Sequence, residues 1–263
     1  MNYKNPFAIR ASERIETDER FLELFSVEPL SYLEDNHAND SLWGTLTYIL
    51  SSPGAGKTTL LRLFSPSVLQ RVTAKSTNLI FRKLMKIGVK DNYEQIQKCG
   101  VYLQMGRDYE FLEDDDLFGQ REQRRIFLAL LNARIVLATL KTCMTLAGIK
   151  YTSLQDITYT PEEPVNQFGE LKEIYTGKDL LDWATKQERK VCEFLDCFVV
   201  PADGIDGNDE LFALNAMKAE WFQYDGKPLC HEFIFQIDDG HKLTERQKRI
   251  IRSEVAERRI HAT

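Results

Sequence analysis

The chain has no Cys-x-x-Cys pair. Its five cysteines, Cys99, Cys143, Cys192, Cys197 and Cys230, are scattered through 263 residues without histidines at metal-ligand spacing. That excludes a zinc ribbon or a dithiol redox motif and leaves reduced thiols. An excess of positive charge is also missing. The formal net charge is −6, which argues against a polyanion-binding surface over the whole molecule and leaves only local basic patches open. The longest apolar stretch, 126–146, is broken by Asn132, Arg134 and Lys141. Those side chains are costly in a lipid-facing span, so the stretch is expected as a helix inside a protein, with no membrane partner. The segment Met1-Asn2-Tyr3-Lys4-Asn5-Pro6 lacks the apolar core of a signal peptide, and a cytoplasmic protein is expected. No internal repeat stands out.

What is present is an alternation of helix-like and strand-like segments. Residues 12–34 read as an amphipathic helix with Phe21, Leu22, Leu24 and Phe25 on one side and Pro29 interrupting the pattern. A β-branched and aromatic run, 46–50, ends in a Ser/Pro/Gly cluster, and the helix after it is expected to stop before Ser65-Pro66. Residues 67–90 read as helical or helix-turn-helix, 99–105 as a second strand, and 120–147 as a long helix ending on Gly148. A loop is expected over 151–168, an amphipathic helix over 177–196, a surface loop over 201–209 and a helix over 210–222. Residues 230–237 form a third strand, and 243–259 a final helix. Asp114-Asp115-Asp116 is read as the acid-rich start of the long helix rather than a metal site. Asp203, Asp206 and Asp209 miss the ligand spacing of an EF-hand.

Chemistry concentrates first in Ser52-Pro53-Gly54-Ala55-Gly56-Lys57-Thr58-Thr59, which follows the 46–50 run and opens a helix. A polyphosphate needs many donors at once. A glycine-rich turn presents successive backbone N–H groups without side chains in the way, and Gly54 and Gly56 meet that need. Lys57 is placed to reach the β- and γ-phosphates, Thr58 to set its hydroxyl on Mg²⁺, and Thr59 to sit in the first helical turn near the α-phosphate. The pattern G-x-x-x-x-G-K-[ST] asks for glycine where this chain has Ser51.

The second concentration is Phe233-Ile234-Phe235-Gln236-Ile237-Asp238-Asp239, an apolar strand ending in two acids. It resembles the Walker B element of P-loop ATPases, in which Asp238 would hold the Mg²⁺ hydration shell and Asp239 would position or activate the attacking water. The bland alternative is a strand followed by an acidic turn. Together the two motifs resemble the AAA+ and related origin-recognition-like or STAND-like ATPases, a group that includes the front parts of larger defence-type ATPases. Asn5-Pro6-Phe7 and Arg10 look like the linker that packs beside adenine in such proteins. The resemblance implies ATP and Mg²⁺ as cofactors, with self-association or a protein partner. It also implies sensor, arginine-finger and lid regions after Asp239, so the sequence reads as a P-loop domain incomplete at its C-terminus. Arg258 and Arg259 are read as part of a solvated helix face, in preference to arginine fingers acting on a neighbouring subunit.

The expected architecture is α/β: a mainly parallel sheet with flanking helices and a large helical insertion. Residues 1–40 form a helical lead-in, 41–105 the Walker A half, 106–228 the insertion, and 229–263 the Walker B strand with its following helix. Three readings of function remain. The chain is an Mg-dependent ATPase or ATP-driven switch, a nucleotide-dependent interaction module without efficient hydrolysis, or a nucleic-acid-associated ATPase that uses its basic segments 71–90 and 242–259. The last is disfavoured, because basic helix faces are commonly solvated or engaged with protein.

Overall fold

The computed structural model describes residues 15, 17–38, 42–43, 47, 49, 56–105, 109, 119–168, 175–197 and 209–261. Two compact units result. The first contains 1–100 and Cys230–Ile234, the second Val101–Leu229 and Phe235–Thr263. The expected insertion edges, 106 and 228, lie close to two of these boundaries, while the second unit also takes in the chain after 234.

In the first unit the amino-terminal helix is two helices, α1 (Asp18–Leu24) and α2 (Glu28–Ala38). The single helix expected over 12–34 breaks at Phe25-Ser26-Val27, where Phe25 is extended at ψ 122° and Ser26 Oγ accepts from Glu28 N. Pro29 is therefore not the interruption; it sits in the first turn of α2, where a missing N–H costs nothing. Thr17 caps α1 by accepting from Arg20 N at 3.2 Å. Helix α3 (Lys57–Leu63) ends at Phe64, and Pro66 opens α4 (Pro66–Arg71) at its first position. Helix α5 is Asn78–Lys86. Leu60, Leu63, Phe64, Leu69, Phe81 and Leu84 are among the residues that form the buried core of this unit.

Strand β1 (Lys98–Gln104) pairs with β5 (Glu232–Asp238). His231 N and Glu232 N both donate to Gln97 O, and Met105 N donates to Asp238 O. The partners advance together along both strands, which makes the pair parallel. Of the strand expected at 46–50, only Thr47 and Ile49 are described, and neither is in a strand.

The second unit is built on α6 (Gln120–Ala147), which stops at Gly148 in the left-handed region, φ 67°. By length and composition α6 is apolar enough to cross a membrane, but most of its apolar stretch is buried by protein. It packs on α7 (Gly177–Cys197), α8 (Ala213–Ala216) and α9 (Glu245–His261). Asn132, which weighed against a lipid-facing span, is fully buried and bridges Glu210 O and Ala213 N, both at 3.0 Å.

The region expected as a large helical insertion is not helical throughout. β2 (Ile157–Tyr159), β3 (Phe222–Tyr224) and β4 (Lys227–Pro228) form an antiparallel sheet within 106–228. The loop expected over 151–168 thus carries a strand, and the helix expected over 210–222 shrinks to α8 and a 3-10 turn before β3. The physical reason is the turn between β3 and β4. Asp225 and Gly226 both have positive φ, 53° and 69°, the two-residue geometry whose twist matches antiparallel strands. Tyr159 seals the sheet with a hydroxyl donated to Ala216 O at 2.8 Å and ring contacts to Phe168, Trp221 and Phe222.

Candidate functional site

Two places, one in each unit, carry the residues singled out from the sequence. In the first unit, Gly56 stands at the N-cap of α3 with φ 87° and ψ 17°. Among the described residues a Cβ there would meet nothing closer than the Cβ of Thr59 at 3.9 Å. Glycine suits the position by its backbone angle. Lys57 and Thr59 are partly buried and Thr58 is exposed in the first turn of α3, whose leading N–H groups have no intrahelical acceptor. Ser51, Ser52, Pro53, Gly54 and Ala55, like Asn5, Pro6, Phe7 and Arg10, lie outside the described residues.

Helix α3 is fixed by its other end and its flank. Phe64 O accepts from Gly100 N at 2.8 Å, tying the helix end to β1. Arg62 donates to Ile15 O at 2.9 Å and Asp18 at 3.0 Å, with its guanidinium 4.7 Å from the centre of the Phe21 ring. Arg71 on α4 reaches the same Asp18 at 3.6 Å, and Glu19 at 2.5 Å. The lead-in helix is thereby clamped to the helix that carries Lys57.

In the second unit, Asp238 ends β5. Its Oδ2 accepts from Tyr102 OH at 2.9 Å and its Oδ1 from Asp239 N at 2.8 Å. Asp239 lies in the left-handed region, φ 56° and ψ 24°. Aspartate tolerates that region better than most residues, and a non-glycine residue held there is a common mark of functional turns. Its Oδ2 accepts from Lys242 Nζ at 2.8 Å and Gln104 Nε2 at 3.2 Å. Lys242, with a smaller contribution from Gln104, holds the Asp239 carboxyl below the usual carboxylate range. Burial, and then the bond to Asp238, push the Tyr102 hydroxyl well above the usual phenol range, so it donates and stays protonated.

Tyr102, Gln104 and Lys242 were not singled out from the sequence. Lys242 was legible in principle, three residues after Asp239 in a chain that turns there. Tyr102 and Gln104 share one side of β1 by the period of two, and the pairing with β5 brings them to the acids.

The other charged segments resolve into internal contacts. Arg71 pairs with Asp18 and Glu19, and Lys83 and Lys86 both pair with Glu34. Lys90 is buried, with its amine donating to Leu69 O and Val72 O at the end of α4, and burial lowers its pKa. At the other end of the chain, Arg246 donates to Gln123 and Gln120 O, and the buried Glu254 accepts from Arg124 and Leu211 N. These cations serve the fold. Arg258 and Arg259 belong to α9, and their side chains lie outside the described residues. Asp114, Asp115, Asp116, Asp203 and Asp206 do too, while Asp209 pairs with Arg125 at 3.4 Å.

Mg²⁺ asks for hard oxygen donors, with one or two carboxylates completed by waters and phosphate oxygens. Asp238 and Asp239 in the second unit offer carboxylates of that kind, and Thr58 in the first a hydroxyl. Among the described residues no three His, Cys, Asp or Glu side chains group as an all-protein cage would require. A cation shared with a nucleotide needs no such cage.

A family model described as ORC-CDC6-like matches residues 5–263. No curated protein matches the chain, and no solved structure does.

Proposed function

The chain belongs to the ORC-CDC6-like family, and from that premise we propose that it is an ATP-driven switch that binds Mg-ATP and hydrolyses it. The observation that carries the reading is Gly56 in the left-handed region delivering the chain into α3, with Lys57 and Thr58 in the first turn. In this reading Ser52 to Thr59 hold the phosphates, Lys57 neutralises the β- and γ-oxygens, and Thr58 and Asp238 hold the cation. When bound, Mg²⁺ would supply charge neutralisation of the phosphates. Asp239 orients the attacking water. Calorimetry with ATP tests the first step. Lys57→Ala is expected to lose at least 100-fold in affinity, as removal of a desolvated charge from a phosphate site does, and intact affinity in that variant overturns the reading.

One observation favours a second reading, a nucleotide-dependent interaction module with little turnover. Asp239 is already engaged by Lys242 and Gln104, and a carboxylate paired with an ammonium is a weaker base. Steady-state phosphate release separates the two readings. Turnover abolished by Asp239→Asn supports the ATPase, while tight ATP binding without phosphate release supports the module.

In either reading the chain works with a protein partner or a second copy of itself in the cytoplasm. The internal pairing of Arg71, Lys83, Lys86 and Lys90 makes the nucleic-acid alternative weaker still.

A further inference from the structure

Asp239 begins a 3-10 turn, Gly240–Lys242, and Lys242 N donates back to Asp239 O at 2.9 Å. The turn brings the Lys242 side chain over the same residue, with Nζ at 2.8 Å from Oδ2. Gln104 Nε2 donates to that oxygen as well, and Tyr102 OH and Asp239 N take the two oxygens of Asp238. Lys242 alone among these donors carries a full charge. An ammonium at hydrogen-bond distance removes much of the negative potential that two adjacent carboxylates offer to an arriving cation. Its side chain is 43% exposed on a flexible stem, whereas Asp239 is 20% exposed, so the lysine is the partner free to swing into solvent.

We infer that Lys242 is the built-in counter-ion of the Asp238–Asp239 pair, offsetting the negative charge that the pair offers a divalent cation and leaving Asp239 when the cation arrives with nucleotide. Lys242 is a positioning residue in this scheme, because it touches the acid and not the reacting atoms. The inference rests on the nucleotide-binding reading above and adds to it a means by which cation and nucleotide binding are coupled.

The test uses the full chain, ATP, and Mn²⁺ as a hard-oxygen-seeking stand-in for Mg²⁺. Calorimetry gives the ATP dissociation constant in EDTA and in saturating Mn²⁺, and the ratio of the two reports how much the cation strengthens binding. Lys242→Met keeps the stem and removes the charge, and is expected to raise that ratio about two- to five-fold, the size of a released, partly exposed ion pair. Lys242→Arg keeps the charge and is expected to keep the native ratio. General damage to the fold weakens ATP binding under both conditions and leaves the ratio in place. A ratio unmoved or lowered in Lys242→Met, or raised equally in Lys242→Arg, overturns the inference. If the native chain binds no ATP in either condition, the nucleotide-binding reading fails and the inference falls with it. If native binding is lost on Lys57→Ala while Lys242→Met leaves the ratio unmoved, the inference alone falls.

Discussion

Gly56 and Asp239 occupy the same left-handed backbone region, at φ 87° and φ 56°, one opening α3 and the other opening the turn after β5. They reach it by different means. Gly56 has no side chain and, among the described residues, nothing crowds its Cβ position, so its backbone angle is what sets it apart. Asp239 is an L-residue that carries the strain and anchors its turn through Lys242 and Gln104. The first is a backbone device, insensitive to charge. The second is a side-chain device whose partners must be surrendered before the carboxylate can do anything else. The first turn is shaped by its backbone alone, and the second is already engaged by its own chain.

The sharpest way to break the comparison is at Gly56. Gly56→Ala puts a Cβ at φ 87°, which costs roughly 1–2 kcal/mol in that region. Because open space cannot relieve a backbone penalty, the turn should shift. ATP affinity measured by calorimetry is then expected to fall more than tenfold, while urea unfolding shows the small stability loss. An affinity unchanged by Gly56→Ala means that the angle is incidental.

Asp239 gives the intermediate effect. If its backbone angle is a strain tolerated for the side chain, Asp239→Gly should be more stable to urea than Asp239→Ala by about 1 kcal/mol. Both variants lose the contacts to Lys242 and Gln104, so the difference isolates the backbone. Equal stability of the two places the anchoring wholly in the side chain.

The smallest effect separates these two turns from the ordinary ion pairs of the first unit. Lys83, and then Lys86, hold the Glu34 carboxyl below its ordinary value of 4.5. A depressed carboxylate stabilises the fold above that ordinary value and ceases to do so as the pH falls through the lower folded value. The native chain is therefore expected to exceed Glu34→Gln slightly in thermal midpoint at neutral pH. The gap should shrink as the pH falls below 4.5 and close only below the lowered folded value, where Glu34 is protonated in both states. A gap that persists at acid pH attributes the difference to packing.

Much of the fold was legible along the chain. The run from Gln120 to Ala147 with Gly148 after it, the Ser65-Pro66 break and the apolar strands ending near Met105 and Asp238 all have local causes, namely helical periodicity, a proline and a terminating glycine. The break at Phe25-Ser26-Val27 was not legible, because its apolar spacing continues a helical pattern across an extended residue. Asp225-Gly226 was a readable hairpin signal. Its strands are short, three and two residues, and β3 finds its partner β2 more than sixty positions earlier in the chain. Of the candidate site, Gly56, Lys57, Thr58, Asp238 and Asp239 stood out because their chemistry and spacing are local. The partners of the basic run 71–90 were not legible in its composition, since only folding shows Lys90 buried and Arg71, Lys83 and Lys86 matched to acids on α1 and α2.

The sequence by itself determined the kinds of group available: a glycine able to take φ 87°, a lysine and a threonine behind it, and two carboxylates at a strand end. These are properties of single residues and their neighbours. Tertiary structure decided what surrounds those groups, above all that Tyr102 and Gln104 reach Asp238 and Asp239 through the parallel pairing of β1 with β5. It also decided that Arg62 and Arg71 converge on Asp18. Strand register and helix packing join residues more than forty or a hundred positions apart, and their energies depend on burial and partners that no short window of sequence contains.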